Sequence, residues 1–192
     1  MISASDYQAI VLEMERGNFR KALALQQEIE SVGPPSAQLL RLKAIIFHRL
    51  GQGDASYQAF QQSLKMAPDD VVTLVACAGL LTDAGAAQPA ADMYQQALRL
   101  SPACAEASAG LAGVLLRAGD RVRALVWLEK AVTDNPDNTA WRLKLAEQFI
   151  SVGRARDGVT HLKTLLKQMP DDPDLLFCLA RVCCSSRMLM AL

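Results

Sequence analysis

The stretch LLTDAGAAQPAADMYQQALRLSP, residues Leu80 to Pro102, decides how the chain is read. It has few charges and no residue suited to catalysis, yet one Gly and two Pro stand in it like punctuation. A single helix through Gly85 and Pro89 would kink or break, because Gly weakens a helix interior and Pro lacks the N–H donor. Two helices joined by a turn at Gly85 resolve the conflict. Pro89 then falls in the first turn of the second helix, where a missing N–H costs little, and Pro102 closes that helix.

The punctuation recurs. Gly17, Gly51, Gly85, Gly119 and Gly153 are spaced 34 residues apart, and so are Pro34, Pro68, Pro102, Pro136 and Pro170. Two residue types holding one period five times is the signature of a repeat architecture. Other columns share the period. The eighth place of each unit holds Ile10, Ala44, Ala78, Ala112, Ala146 and Ala180, and the twentieth holds Ala22, Ser56, Ala90, Ala124 and Gly158. The twenty-seventh holds Ile29, Ser63, Ala97, Ala131 and Leu165. Large residues alternate with these, among them Phe47, Leu81, Leu115 and Phe149 at the eleventh place and Phe60, Tyr94, Leu128 and Leu162 at the twenty-fourth.

Each unit therefore reads as a helix, a Gly turn, a second helix and a Pro-ended loop. Small residues let the two helix backbones approach closely, and larger ones fill the space between neighbouring pairs. Gly ends the first helix because it takes the left-handed conformation without a Cβ penalty. The expected fold is all-α, a right-handed α-solenoid of antiparallel helix pairs. It is read as one array with repeats at about 3–36, 37–70, 71–104, 105–138 and 139–172, and a partial sixth repeat or capping helix at 173–192.

This pattern resembles the tetratricopeptide repeat family. ASAGLAGVLLRAGDRVRALVWLEKAVTDNP, Ala107 to Pro136, and TLVACAGLLTDAGAAQPAADMYQQALRLSP, Thr73 to Pro102, carry the resemblance. It covers nearly the whole chain. The chain departs from the pattern at the fourth place, often Trp in the family, which holds Asp6, Leu40, Leu74, Ser108, Arg142 and Leu176. It departs again in the first unit, where Gln26 replaces a large residue.

The resemblance implies that the first helix of each unit lines a concave face through its second, fifth, sixth, ninth, twelfth and thirteenth places. Among the residues at those places are Arg41, Leu42, Ile45, His48 and Arg49 in unit two and Val72, Val75, Ala76 and Gly79 in unit three. Units four and five bring Ala109, Gly113, Leu116 and Arg117, and Lys144. The middle of the groove is small and apolar, with a basic flank on one side. Some relatives clamp a carboxylate with a set of Lys, Asn and Arg. The matching positions here are Arg41, Ile45, Ala76, Glu106 and Gly110, and only Arg41 keeps the charge, which argues against such a clamp. An apolar helix or extended segment lying against Gly79, Gly110 and Gly113 fits better, since Gly permits close approach and apolar burial supplies affinity. The alternative for Ala76 and Ala109 is simple packing between neighbouring helices.

Composition narrows the function classes. Lys and Arg number 20 against 20 Asp and Glu, so no global field favours nucleic acid or an anionic membrane. No apolar run is long enough to span a bilayer. The N-terminus carries Asp6, Glu13 and Glu15 where a signal peptide needs an apolar run, so a cytoplasmic location is expected. Five cysteines without regular spacing suit a reducing compartment, and no C-x-x-C occurs.

No nucleotide-binding, hydrolase or zinc-protease motif is found. Asp69, Asp70, Asp171, Asp172 and Asp174 sit where helices begin and read as caps, not as a metal site. His48 reads as a solvated or salt-bridged groove residue and His161 as an inter-repeat contact. Trp127 and Trp141 read as packing. No catalytic residue, metal or cofactor is expected. The function expected is a non-enzymatic scaffold holding a partner peptide or helix. Two alternatives stand beside it. One is a module of a larger transferase whose catalytic domain follows. The other is self-association as a homodimer through the C-terminal helix PDLLFCLARVCCSSRMLMAL, which ends in MLMAL where a capping helix should be polar. A natural chain continuing past that apolar end is the preferred explanation for it.

Overall fold

The five glycines spaced 34 apart all lie at φ between +76° and +84°, the left-handed region where a Cβ costs roughly 1–2 kcal/mol. Each turns the chain back on itself after a first helix. The computed structural model describes residues 4–189, and its helices fall where the period places them. They are α1 (Ala4–Glu15), α2 (Phe19–Val32), α3 (Ala37–Arg49), α4 (Gly53–Met66), α5 (Val71–Asp83), α6 (Ala87–Leu100), α7 (Ala105–Arg117), α8 (Arg121–Asp134), α9 (Thr139–Ser151), α10 (Ala155–Gln168) and α11 (Pro173–Leu189). The fold is all-α, built of antiparallel helix pairs, with no strand among the described residues.

The starts of the first helices follow from side-chain caps. Ser36 Oγ accepts the Leu39 N–H, Asp70 the Val72 N–H and Asn138 the Trp141 N–H. Asp172 accepts the N–H groups of Asp174 and Leu175 at 3.0 Å. The aspartates read as caps at 70 and 172 thus satisfy orphan helix donors, which an N-terminus leaves without intrahelical partners.

The chain divides into two units, Met1–Pro102 and Ala103–Leu192. In the first, α1 pairs with α2, α3 with α4 and α5 with α6, while α2 packs on α3 and α4 on α5. In the second, α7 pairs with α8 and α9 with α10, and α8 meets α9 as α10 meets α11. The columns of small residues explain the pairing. Ala44, Ala78, Ala112 and Ala146 at the eighth place are fully buried, as are Ala22, Ser56, Ala90 and Ala124 at the twentieth. The large residues of the twenty-fourth place, Phe60, Tyr94, Leu128 and Leu162, fill the space beside them.

Among the glycines, the most crowded is in the fifth repeat. A Cβ added to Gly158 of α10 would stand 2.8 Å from the Ala146 carbonyl oxygen and 2.6 Å from Ile150 Cγ1 of α9. Glycine there is a packing requirement. In the first repeat, Gln26 occupies the twenty-fourth place fully buried. Its Nε2 donates to Glu30 at 3.0 Å, and Glu30 also receives Lys43 of α3 at 2.7 Å.

Candidate functional site

The first helices of unit Met1–Pro102 touch in sequence, α1 against α3 and α3 against α5, and together make one face. Polar bonds at a fixed interval of 29 residues hold it. Tyr7 Oη lies 2.7 Å from Ser36 Oγ, and Arg41 Nη1 donates to Asp70 Oδ2 at 2.6 Å. In both cases the fifth place of one repeat grips the residue that caps the first helix of the next. The corresponding partners further along are Val75 with Cys104, Ala109 with Asn138 and Leu143 with Asp172, where the fifth place is apolar and cannot make such a bond.

Arg41 is therefore committed within the fold. Asp70 receives Arg41, Thr73 Oγ1 at 2.6 Å and the Val72 N–H at once. Burial raises the Asp70 carboxyl, but the hydrogen bonds from Thr73, Arg41 and Val72 and the Arg41 charge outweigh it and hold it below the ordinary aspartate value. His48 is also engaged. Its Nε2 lies 3.3 Å from Asp83 Oδ2 at the end of α5, an acid that is remote in sequence and adjacent in space. Arg41 and His48 are thus both engaged by residues at the two ends of α5, and Arg49 beside them is exposed.

The apolar places behave unevenly. Val72 is 59% exposed on α5, while Val75 is half-buried beside it. Ile45 and Ala76 pack against the cluster of Ala44, Ala59, Phe60, Cys77 and Leu80. Leu42 is buried with Ile10, Leu39 and Ile46 and lies in the core instead of on an open face, because the sixth place of α3 turns toward the preceding repeat. A Cβ on Gly79 would meet only Tyr94 Oη at 3.8 Å, an ordinary contact.

In unit Ala103–Leu192, Ala109 and Gly113 are half-buried, and Arg117 and Lys144 are exposed. A Cβ on Gly113 would meet nothing within 4 Å. Leu116 packs at the edge of the cluster around Leu128 and Phe149, with Trp127 and Trp141. His161 is stacked on Phe149 at 5.6 Å between ring centroids, with an interplanar angle of 13°. Both residues belong to the fifth repeat, where α10 folds back on α9, and the Glu129 charge of the preceding repeat also acts on His161. Burial, followed by the Arg142 charge, lowers the His161 pKa from its usual value.

First-unit residues, for which the sequence reading named no groove places, border a further concavity. Tyr7, Gln8, Val11, Leu12 and Glu15 of α1, with Gln38 of α3, border a cleft of about 630 Å³, within the range of ligand-binding pockets. Tyr7, Gln8, Val11 and Glu15 occupy the fifth, sixth, ninth and thirteenth places of unit one, so the place rule applied to units two through five would have found them. A second cleft of about 660 Å³ lies between α1 and α2, against Leu25, Ile29, Val32 and Pro34, with Asp6 and Glu28 at its border.

Among the described residues no group of His, Cys, Asp and Glu is arranged to hold a metal ion. No helix there is long and apolar enough to cross a membrane. Cys77, Cys104 and Cys178 are free thiols. Met190, Ala191 and Leu192 of the apolar C-terminal segment lie outside the described residues. The side chains of Cys183, Cys184, Met188 and Leu189 are likewise outside the description, so the dimer contact expected of that segment falls there.

Comparison with known proteins agrees with the architecture. One family model described as tetratricopeptide repeat matches residues 81–148 and 115–182, and a second with the same description matches 7–71. No match is found among curated proteins. Among solved structures the chain is similar to TTC0263, a thermophilic TPR protein of Thermus thermophilus. The TM-score is 0.74 at 20% identity, covering 93% of this chain and 97% of that one. It is similar to PilF of Pseudomonas aeruginosa at TM-score 0.76 and 17% identity, covering 96% and 90%. YrrB, described as a TPR protein with an unusual peptide-binding site, aligns at TM-score 0.61 and 17% identity, covering 71% and 70%. At these identities the likeness is one of fold.

Proposed function

The chain belongs to the tetratricopeptide repeat family, and on that basis we propose that it is a non-catalytic scaffold that holds a peptide or helix of a protein partner on the faces made by its first helices. The observation that carries the reading is the first-helix face of unit Met1–Pro102. There an open cleft bordered by Tyr7, Val11 and Leu12 adjoins a row whose polar side chains are tied to their neighbours. What such a face offers a ligand is apolar area and shape. Val11, Leu12 and Val72 are each more than a third exposed on it, and burying them supplies about 25 cal/mol per Å².

On this reading Val72, Val75 and Gly79, flanked by Ile45 and Arg49, contact the partner in the first unit. Ala109, Gly113, Leu116, Arg117 and Lys144 do so in the second. Arg41 and His48 act on the partner indirectly, by fixing α3 against α5 through Asp70 and Asp83. The two mid-helix glycines favour the reading. Neither is needed for packing, and each weakens its helix by about 1 kcal/mol relative to Ala. That YrrB is described as having a peptide-binding site shows that this fold accommodates one.

The test compares capture of partners from source-cell lysate by wild type, by Gly79→Arg/Gly113→Arg, and by Val122→Arg. Val122 is 74% exposed on the second helix α8, so its replacement controls for added surface charge. A partner retained by Val122→Arg and lost with the folded double variant supports the first-helix faces. Equal capture by all three removes them from consideration.

A further inference from the structure

We propose that the cleft between α1 and α2 is a separate peptide site, which takes an extended segment of a protein partner whose large apolar residues are flanked by Lys or Arg. The cleft measures about 660 Å³, within the range of ligand-binding pockets. One wall is Leu25, Ile29 and Val32 of α2. Their spacing of four and three residues puts them on one stripe of that helix, about 10 Å long at 1.5 Å rise per residue. Asp6 and Ala9 line the cleft from α1.

Both helices of this repeat are present, so the cleft is a property of the repeat itself. Toward the end of α1 and the start of α2 the pair is closed, with Ile10 and Ala22 fully buried in one cluster. The difference arises at the fourth and twenty-seventh places. In repeats two, three and four these hold Leu40 with Ser63, Leu74 with Ala97 and Ser108 with Ala131, none more than 3% exposed. Ser63 shows the closed form, its hydroxyl donating to the Ala37 carbonyl at the start of α3 at 2.7 Å. Repeat one places the carboxylate of Asp6 and the side chain of Ile29 in the same cleft, and both remain half-buried. Closing that end would strip water from a carboxylate against an apolar side chain, which costs free energy. A large residue at the twenty-seventh place does not open a repeat by itself, since Leu165 of repeat five is fully buried in a cluster with Leu175.

Charge identifies the occupant. Asp6 and Glu28 border the cleft, and among the described residues no Lys, Arg or His does. An apolar stripe beside two carboxylates matches a segment whose apolar side chains lie between cations. In an extended segment residues two apart face the same side, about 7 Å from each other, so two of them fit along the stripe. Tyr7 borders both this cleft and the cleft along α1, and its bond to Ser36 at 2.7 Å fixes the wall they share. The site does not require the first-helix faces to bind anything.

The test adds the end-blocked peptide KLALK to the isotope-labelled full chain and follows backbone amide signals. The expected result is saturable shifts over residues 6–9 and 25–32, with half-saturation below about 5 mM. The peptides KAAAK and ELALE bind at least about ten-fold more weakly, the first for lack of apolar area and the second for its charge. KLALK binds the Val32→Arg chain more weakly by a similar factor. Val32 is 76% exposed, so that variant keeps the fold, which circular dichroism verifies. No saturable shift up to about 5 mM peptide, equal binding of KAAAK or ELALE, or binding unchanged by Val32→Arg overturns the proposal. Shifts confined to residues 72–79 assign the peptide to the first-helix faces and overturn it as well. Shifts over the cleft that grow with protein concentration alone make a second copy the occupant, with the same consequence.

Discussion

Two glycines inside helices, Gly113 in α7 and Gly158 in α10, respond in opposite directions to the same added methyl group. At Gly113 the new Cβ meets nothing within 4 Å. Replacement by Ala removes backbone freedom from the unfolded chain and adds about 1 kcal/mol of helix preference. At Gly158 the same gain is available, but the Cβ would lie 2.8 Å from the Ala146 carbonyl and 2.6 Å from Ile150 Cγ1. Non-bonded heavy atoms prefer about 3.5–4.0 Å. Ile150 can rotate away, whereas the carbonyl is part of the α9 backbone and moves only with that helix. Overpacking of this kind costs about 1–3 kcal/mol. Set against the propensity gain, the net loss for Gly158→Ala is about 1 kcal/mol, and the two variants differ by about 2 kcal/mol. For a chain of this length that separation corresponds to about 4–8 °C in thermal midpoint. Circular dichroism melts of wild type and both variants, repeated in urea to compare slopes, read it directly. A Gly158→Ala midpoint at or above that of wild type would refute the claim that α9 and α10 require glycine at the twentieth place.

Three other predictions follow from single side chains. Asp70→Asn keeps an acceptor for the α5 cap but removes the charged partner of Arg41, and costs about 1.5–3 kcal/mol at neutral pH. Because the folded Asp70 carboxyl lies below its unfolded value, this stabilisation is complete above about pH 5 and fades as pH falls below about 4, so denaturation curves of the two proteins converge in acid. Gln26→Leu removes a buried side-chain carbonyl without a hydrogen-bond partner and places an apolar residue in a column otherwise filled by Phe60, Tyr94, Leu128 and Leu162. It stabilises the first repeat by about 1 kcal/mol after loss of the bond to Glu30, measured by urea denaturation. Cys77 is fully buried and burial pushes its thiol up to about 11. Alkylation at pH 8 followed by peptide mapping therefore labels it at least about 100-fold more slowly than Cys104, until the protein is unfolded.

The groove was legible in the sequence only as a list of places. Arg41 stood out there as a charge available to a ligand, and His48 as a solvated or salt-bridged groove residue. The structure pairs them with Asp70 and Asp83, 29 and 35 positions later. No local pattern reports that pairing, because it depends on one first helix lying against the next. Leu42 shows the same limit from the apolar side. Its place is surface or core according to how far the helix is rotated toward the preceding repeat, and that rotation is a tertiary quantity. The cleft along α1 was reachable by the place rule, since Tyr7, Gln8, Val11 and Glu15 stand at the expected positions. Its depth and its closure by Gln38 of the second repeat were not.

By itself the sequence determined the helices, their ends and their pairing. A 34-residue period of Gly and Pro sets turns through backbone geometry, which each residue carries whatever its neighbours are. The alternation of small and large residues then selects which faces meet. Tertiary structure alone decided how closely they meet and which charges remain for a partner. The tight contact at Gly158, the open space at Gly113 and the engagement of Arg41 by Asp70 all arise between separate helices. Period and propensity act along the chain. Contact distance and charge neutralisation act across it, and they exist only once the helices are packed.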